Sequence, residues 1–178
     1  MSNDKYERHE KPLKVIIAIS RKKDGGSGKV IRRIVKDPRF VREDYRLVLT
    51  ECVIRGGPWR VYQTVNRRCP HKAYKILQHL MIDSDRVDAH NLWLKALLQP
   101  GSRHDKLFML DVDDPSQYDS IKEYMLDEFG LEEGYHTKTP NGFHMVYNPF
   151  DRKKFSEKFP DVEVLTDGYV FVGGVGLE

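Results

Sequence analysis

The chain has 178 residues, 30 Lys and Arg against 27 Asp and Glu, a formal net charge of +3, and a composition 39% hydrophobic and 11% aromatic. That length suits one domain, or one domain with an N-terminal extension, and that much apolar sequence excludes a chain disordered throughout. A charge so near balance excludes the strongly basic signature of a protein held to nucleic acid by net charge alone.

The distribution of charge says more than its sum. The first 75 residues are rich in Lys and Arg, whereas most acids lie between Asp83 and Asp167. This asymmetry fits a basic track beside an acidic centre, the pairing that phosphoryl transfer needs, and it also fits a mixed solvated surface. Two cysteines, Cys52 and Cys69, do not make a disulfide framework, and Cys69-Pro70-His71 lacks the second ligand pair of a structural zinc site. No apolar run is long enough to span a bilayer and no signal peptide is recognisable, so the expectation is a soluble, cytoplasmic protein with no membrane partner.

In chain order, residues 1–12 are polar and predict a mobile tail, and residues 13–178 predict a single domain with an N-terminal α/β subregion over 13–105. Lys14 to Ser20 predicts a strand. The following Arg21–Lys29 is superficially P-loop-like, but Lys23 stands where the first glycine is required and Val30 follows Lys29. A flexible basic surface loop is expected instead. The β-rich runs Arg46–Val53 and Trp59–Val65 predict two strands joined across Gly56-Gly57-Pro58. Arg67 and Arg68 then fall between a strand and a helix entered at Pro70, a placement suited to phosphates and equally ordinary for surface arginines. That helix presents Ala73, Ile76, Leu77, Leu80 and Met81. A second helix is expected over Ser84–Gln99, burying Val87, Leu92, Trp93, Ala96 and Leu97.

Residues 106–178 read more regularly. A strand over 106–112 leads to a helix over 116–129 closed by Gly130. Gly134–Lys138 and Phe143–Tyr147 form a hairpin, 152–158 a short helix, and Val162–Leu165 with Tyr169–Val172 a last hairpin about Thr166-Asp167-Gly168. The order β-α-β-β-α-β-β predicts an α+β fold whose sheet is a split βαβ with helices on one face.

Three places on this frame carry chemistry. Leu107–Leu110 runs as a buried strand into Asp111-Val112-Asp113, and alternation turns Asp111 and Asp113 the same way. Two neighbouring carboxylates repel and lose hydration, a cost that a divalent cation offsets. Asp114 or Ser116 starts the following helix. Next, His144 follows the turn Lys138-Thr139-Pro140-Asn141-Gly142, which offers a lysine, a hydroxyl and a glycine backbone to a triphosphate. Finally, Glu163 between valines completes a three-carboxylate set with Asp111 and Asp113, with Asp161 and Asp167 as competing third acids.

Asp111-x-Asp113, the hairpin TPNGFHMVY over 139–147 and VEVLTDGYVFV over 162–172 together resemble the motifs of the archaeo-eukaryotic primase superfamily, in particular its prim-pol branch. The resemblance covers roughly residues 106–173. It implies an RRM-like catalytic sheet packed against an N-terminal α/β unit. It further implies Asp111, Asp113 and Glu163 as catalytic metal ligands for two Mg²⁺ or Mn²⁺ ions, Glu163 standing where many members have aspartate. His144 would bind the incoming nucleotide's phosphates, with Lys138, Thr139, Asn141, Arg67 and Arg68 as further nucleotide-binding candidates. Members commonly have two glycines where this chain has Gly142-Phe143. The function expected on this ground is a DNA primase/polymerase-like nucleotidyltransferase acting on a DNA template or primer with nucleoside triphosphates, with a helicase or other replication protein as candidate partner. A metal-dependent nuclease and a non-catalytic RRM-like nucleic-acid-binding protein are the alternatives.

Overall fold

The computed structural model describes residues 11–35, 41–82 and 88–177. Most of the predicted tail, and Ser84 and Val87 of the expected second helix, lie outside the described residues. The chain is α+β, and its described residues form two four-stranded sheets and five α-helices. It divides into two compact units, the first of residues 1–60, 66–105 and 174–178, the second of residues 61–65 and 106–173.

In the first unit, β1 (Lys14–Ile19) pairs antiparallel with β2 (Val30–Val35), Lys14 facing Val35 and Ile19 facing Val30. The next element departs from expectation. Val41–Arg55, which includes the run expected as a strand, is a helix, α1. Its buried residues Val48 and Cys52 are four apart, the spacing of one helical face, and burial holds the Cys52 thiol above its usual pKa. Gly56, at φ +67°, closes the helix by donating to the Cys52 carbonyl at 3.1 Å. The β-branched residues of this run argued for a strand, and packing overrode that propensity.

β3 (Trp59–Thr64) is a strand as expected and passes from the first unit to the second. Helices α2 (Pro70–Ile82) and α3 (Ala89–Leu97) follow in the first unit, burying Ala73 on one and Leu94, Ala96 and Leu97 on the other. Pro70 sits at the first position of its helix, where its missing N–H costs nothing. Before it, Arg67 makes a two-pronged pair with Asp105, Nε to Oδ2 and Nη2 to Oδ1 both at 2.8 Å, and its backbone N–H donates to Oδ2 at 3.0 Å.

That pair supplies a pH-dependent test. Hydrogen bonds from Arg67 hold the Asp105 carboxyl below the ordinary range. Asp105→Asn is therefore expected to cost about 1–2 kcal/mol near neutral pH, discounted because Arg67 is half-exposed. A depressed folded pKa means that the stability is present above the unfolded carboxylate pKa of about 3.9 and is lost as pH falls through the folded value. Urea melts of the parent and variant should differ at pH 7 and converge in acid.

The second unit holds one sheet in the order β5-β6-β4-β7, from β4 (Phe108–Val112), β5 (Tyr135–Lys138), β6 (Phe143–Tyr147) and β7 (Glu163–Leu165). All its pairings are antiparallel. Strand alternation sends Leu110, Val112, Met145 and Tyr147 to one face. There they pack with Ile121 and Met125 of α4 (Tyr118–Phe129) and Phe155 of α5 (Arg152–Lys158). Gly130 closes α4 at φ +63°, as the sequence predicted. On the opposite face Met109 and Val146 pack with Val65 and Val170. Both faces of β4 are thus covered, which is what its unbroken apolar run requires.

The expected last hairpin is not formed. β7 pairs with β4, whereas β8 (Tyr169–Val175) leaves at Thr166-Asp167-Gly168 for the other sheet, beside β3. Val170 on this strand packs with Val65, and the Val65 N–H donates to the Gly168 carbonyl at 3.1 Å. A partner more than 100 residues away in sequence therefore outcompetes the adjacent strand, a choice that turn residues alone do not encode.

Candidate functional site

Strand register assembles the site. Asp111 on the inner strand β4 stands directly opposite His144 of β6 on one side and Glu163 of β7 on the other. His144 in turn stands opposite Thr137 of β5. Directly opposed residues of antiparallel strands share a face, with Cβ atoms about 4.5–5.5 Å apart. A polar row, Thr137–His144–Asp111–Glu163, therefore crosses all four strands. The next row on the same face is Tyr135, Val146, Met109 and Leu165, which joins the apolar core. Placing two carboxylates directly opposite each other destabilises a sheet unless something between them carries positive charge.

His144 is 6% exposed and has a defined orientation. Its Nδ1 accepts a hydrogen bond from the backbone N–H of Phe171 at 3.0 Å. In the neutral ring the proton then belongs on Nε2, which lies 3.4 Å from Asp111 Oδ1. This is longer than a formed N–H···O bond, so the donor is aimed into the row with capacity left for a ligand oxygen.

The turn before His144 is built against the Asp-x-Asp backbone. Thr139 N–H donates to the Gly142 carbonyl at 2.8 Å, and the Thr139 hydroxyl accepts from Gly142 N–H at 2.9 Å. A Cβ on Gly142 would lie 1.9 Å from the Val112 carbonyl oxygen and 3.1 Å from the Asp113 carbonyl carbon. The glycine is required for this close approach, which brings the tip of the β5–β6 hairpin onto the end of β4.

The other predicted residues fall as follows. Asp113 is exposed, one residue past the end of β4, and Glu163 is exposed at the start of β7. Asp114 caps the 3₁₀ turn Pro115–Gln117 that leads into α4, its carboxylate accepting from Ser116 N–H at 2.9 Å and Oγ at 2.7 Å, which holds its pKa low. Asp161 lies before β7 begins, so strand alternation does not carry it onto the face of Glu163, and Asp167 lies in the turn after it. Asn141 is exposed at the hairpin tip. Lys138 is opposite Phe143, one position out of phase with His144, so the strand turns it to the other face. Arg67 and Arg68 belong to the first unit, where Arg67 is engaged by Asp105 and Arg68 is fully buried.

Thr137 and Phe171 are the members sequence reading missed. Thr137 could be found only by counting back across the hairpin from His144, and Phe171 acts through its backbone, which leaves no side-chain signal. On the helix face, Tyr118 OH donates to Glu133 Oε2 at 2.9 Å and His136 Nδ1 lies 3.2 Å from the same oxygen, bracing the start of α4 against β5. Burial and the neighbouring carboxylate push the Tyr118 phenol up to about 12.

The donor chemistry fits a hard divalent cation. Asp111, Asp113 and Glu163 offer only carboxylate oxygens, the ligands Mg²⁺ and Mn²⁺ prefer, and all three retain solvent access. Among the described residues, the side chains as they stand close no group of three metal-ligating residues. No helix among them is long and apolar enough to cross a membrane. No protein-family model matches the chain, and no curated protein or solved structure matches it.

Proposed function

We propose that the chain is a template-dependent nucleotidyltransferase of the primase/polymerase kind, joining nucleoside triphosphates on a DNA template or primer. The observation that carries this reading is the row His144–Asp111–Glu163, which sets a hydrogen-bond donor beside two opposed carboxylates. The strand order β5-β6-β4-β7, with α4 and α5 on one face, supports the finer description of the second unit as an RRM-like split βαβ.

In this mechanism Asp111, Asp113 and Glu163 would hold the divalent ions. Divalent ions held there would supply positive charge to the triphosphate and would raise the acidity of the attacking 3′-hydroxyl. His144 donates from Nε2 to a phosphate oxygen, and the Phe171 N–H keeps that nitrogen the donor. The Thr139–Gly142 turn fixes where the hairpin tip and Asn141 stand beside the acids. A nuclease needs the carboxylates equally but gives this oriented histidine and the pressed glycine turn no task.

The deciding experiment incubates the protein and a labelled primer–template with Mn²⁺ or Mg²⁺, with and without nucleoside triphosphates. Primer growth that requires both metal and nucleotides is expected. Shortening of the strand without nucleotides would replace the polymerase by a nuclease. Binding without either change would leave a non-catalytic nucleic-acid module.

A further inference from the structure

We propose that the hairpin tip between β1 and β2 is a docking surface for a nucleic-acid phosphodiester backbone, engaged by Arg21, Lys22, Lys23, Lys29 and Arg32. The choice of a nucleic acid over another polyanion rests on the polymerase reading. The surface itself belongs to the first unit and lies outside the carboxylate site.

The tip is a built loop, where the sequence suggested a flexible one. Ser20 N–H donates to the Lys29 carbonyl at 2.9 Å, and Gly28 N–H returns to the Ser20 carbonyl at 2.6 Å. The Ser20 hydroxyl, buried, accepts from Ser27 N–H at 2.8 Å. A 3₁₀ turn over Lys22–Asp24 ends at Gly25, whose φ of +81° favours glycine. The lysines therefore project from a backbone with a defined path, which lowers the entropy lost on binding.

Its cations outnumber the acid set among them. Asp24, the sole acid between Ser20 and Val35, is clamped by Arg60, Nε to Oδ2 at 2.7 Å and Nη2 to Oδ1 at 2.9 Å. Hydrogen bonding from Arg60 is the largest influence holding the Asp24 carboxyl low, with Arg21 and Lys23 adding to it through charge. Along β2, Arg33 turns to Asp44 of α1 at 2.5 Å. Alternation then sends Arg32 to the opposite face, where it is exposed beside Val30. Lys22, Lys23 and Lys29 are exposed and make no ion pair among the described residues. Exposed cations outside any ion pair are suited to displacing the counterions of a phosphodiester chain. Contacts from Lys and Arg to phosphates position a strand without reading its bases, which matches a strand held regardless of sequence.

The test measures anisotropy of labelled single-stranded DNA and RNA of matched sequence, and of labelled polyglutamate, across a salt series. The proteins are the parent chain, Lys22→Gln/Lys23→Gln/Lys29→Gln, and a charge-matched control, Lys122→Gln/Lys153→Gln/Lys158→Gln. For the hairpin variant, affinity at low salt should fall about tenfold or more, and the slope of log K against log salt should shrink by roughly 2. The control should change less than about twofold, and the tighter of DNA and RNA identifies the strand. No binding by the parent, an unchanged slope in the hairpin variant, an equal loss in the control, or polyglutamate bound as well as nucleic acid would each overturn the proposal. Calorimetric Mn²⁺ binding by the hairpin variant should match the parent. A failure here thus leaves the carboxylate site, and the reading built on it, to be judged separately.

Discussion

Replacing Asp111 and Asp113 together by asparagine is expected to abolish metal-dependent nucleotide addition while leaving the fold intact or slightly more stable. The two readouts move apart for a physical reason. In the metal-free protein Asp111 faces Glu163 directly across the β4–β7 ladder, and opposed like charges cost about 0.2–1 kcal/mol. Asparagine removes that repulsion without changing side-chain shape, so thermal melts in chelator should show an unchanged or raised midpoint. Addition, by contrast, loses the ligands that hold positive charge at the phosphates. Loss of one preorganised electrostatic contact commonly costs about a hundredfold to a thousandfold, and the double change should meet or exceed that. Full extension activity in the double variant would defeat the polymerase reading. A large drop in melting midpoint would instead mark the acids as structural, leaving their role in chemistry without support.

The largest effect on stability is expected at Gly142. Alanine there would set a methyl group 1.9 Å from the Val112 carbonyl oxygen, and the atoms nearest it are all main chain of Val112 and Asp113 rather than the end of a flexible side chain. The β5–β6 turn must then lift from the end of β4, and the expected cost is about 3 kcal/mol, the upper end of what overpacking usually costs. Gly130→Ala is the control, since Gly130 has a positive φ of +63° and open space about its Cα. It should lose only about 1 kcal/mol, from backbone strain alone. Denaturant melts of both variants check the contrast. A Gly142→Ala variant no less stable than Gly130→Ala would show that the hairpin tip is not pressed onto the Asp-x-Asp backbone as described. Because that tip sits beside His144, nucleotide addition should fall with it.

Much of the candidate site was legible as spacing and little of it as geometry. Asp111, His144 and Glu163 stood out because each is a polar residue inside a β-rich run, and alternation alone set their facing within each strand. What joins them is register, and register depends on which strands pair. His144 comes opposite Asp111 only because Phe143 meets Val112, an alignment involving residues more than 30 apart. Lys138 shows the converse. Its neighbourhood in sequence suggested a place beside His144, but the tight turn puts it opposite Phe143 and so on the other face. Arg68, expected either to meet phosphate or to lie on the surface, is fully buried, and its backbone exchanges hydrogen bonds with Leu13 at 2.8 and 2.6 Å.

By itself the sequence determined those elements whose signals are local. The strands at Lys14–Ile19, Trp59–Thr64 and Phe108–Val112, the Pro70 helix start, the Asp114 cap and the Gly130 stop all follow from propensity, periodicity and capping within a few residues. Tertiary structure decided the rest. It made a helix of Val41–Arg55, where β-branched residues argued for a strand but burial of Val48 and Cys52 on one helical face prevailed. It separated β7 from β8, because Met109 and Leu110 of β4 pair with Leu165 and Val164 of β7 while Val65 takes Gly168 and Val170 beside β3. It also closed the basic loop on Ser20 and neutralised Asp24 with an arginine 36 residues away. The pairing of β7 with β4, the Val65–Gly168 bond and the Arg60–Asp24 clamp join residues distant in the chain, and their proximity exists only once the fold has brought them together.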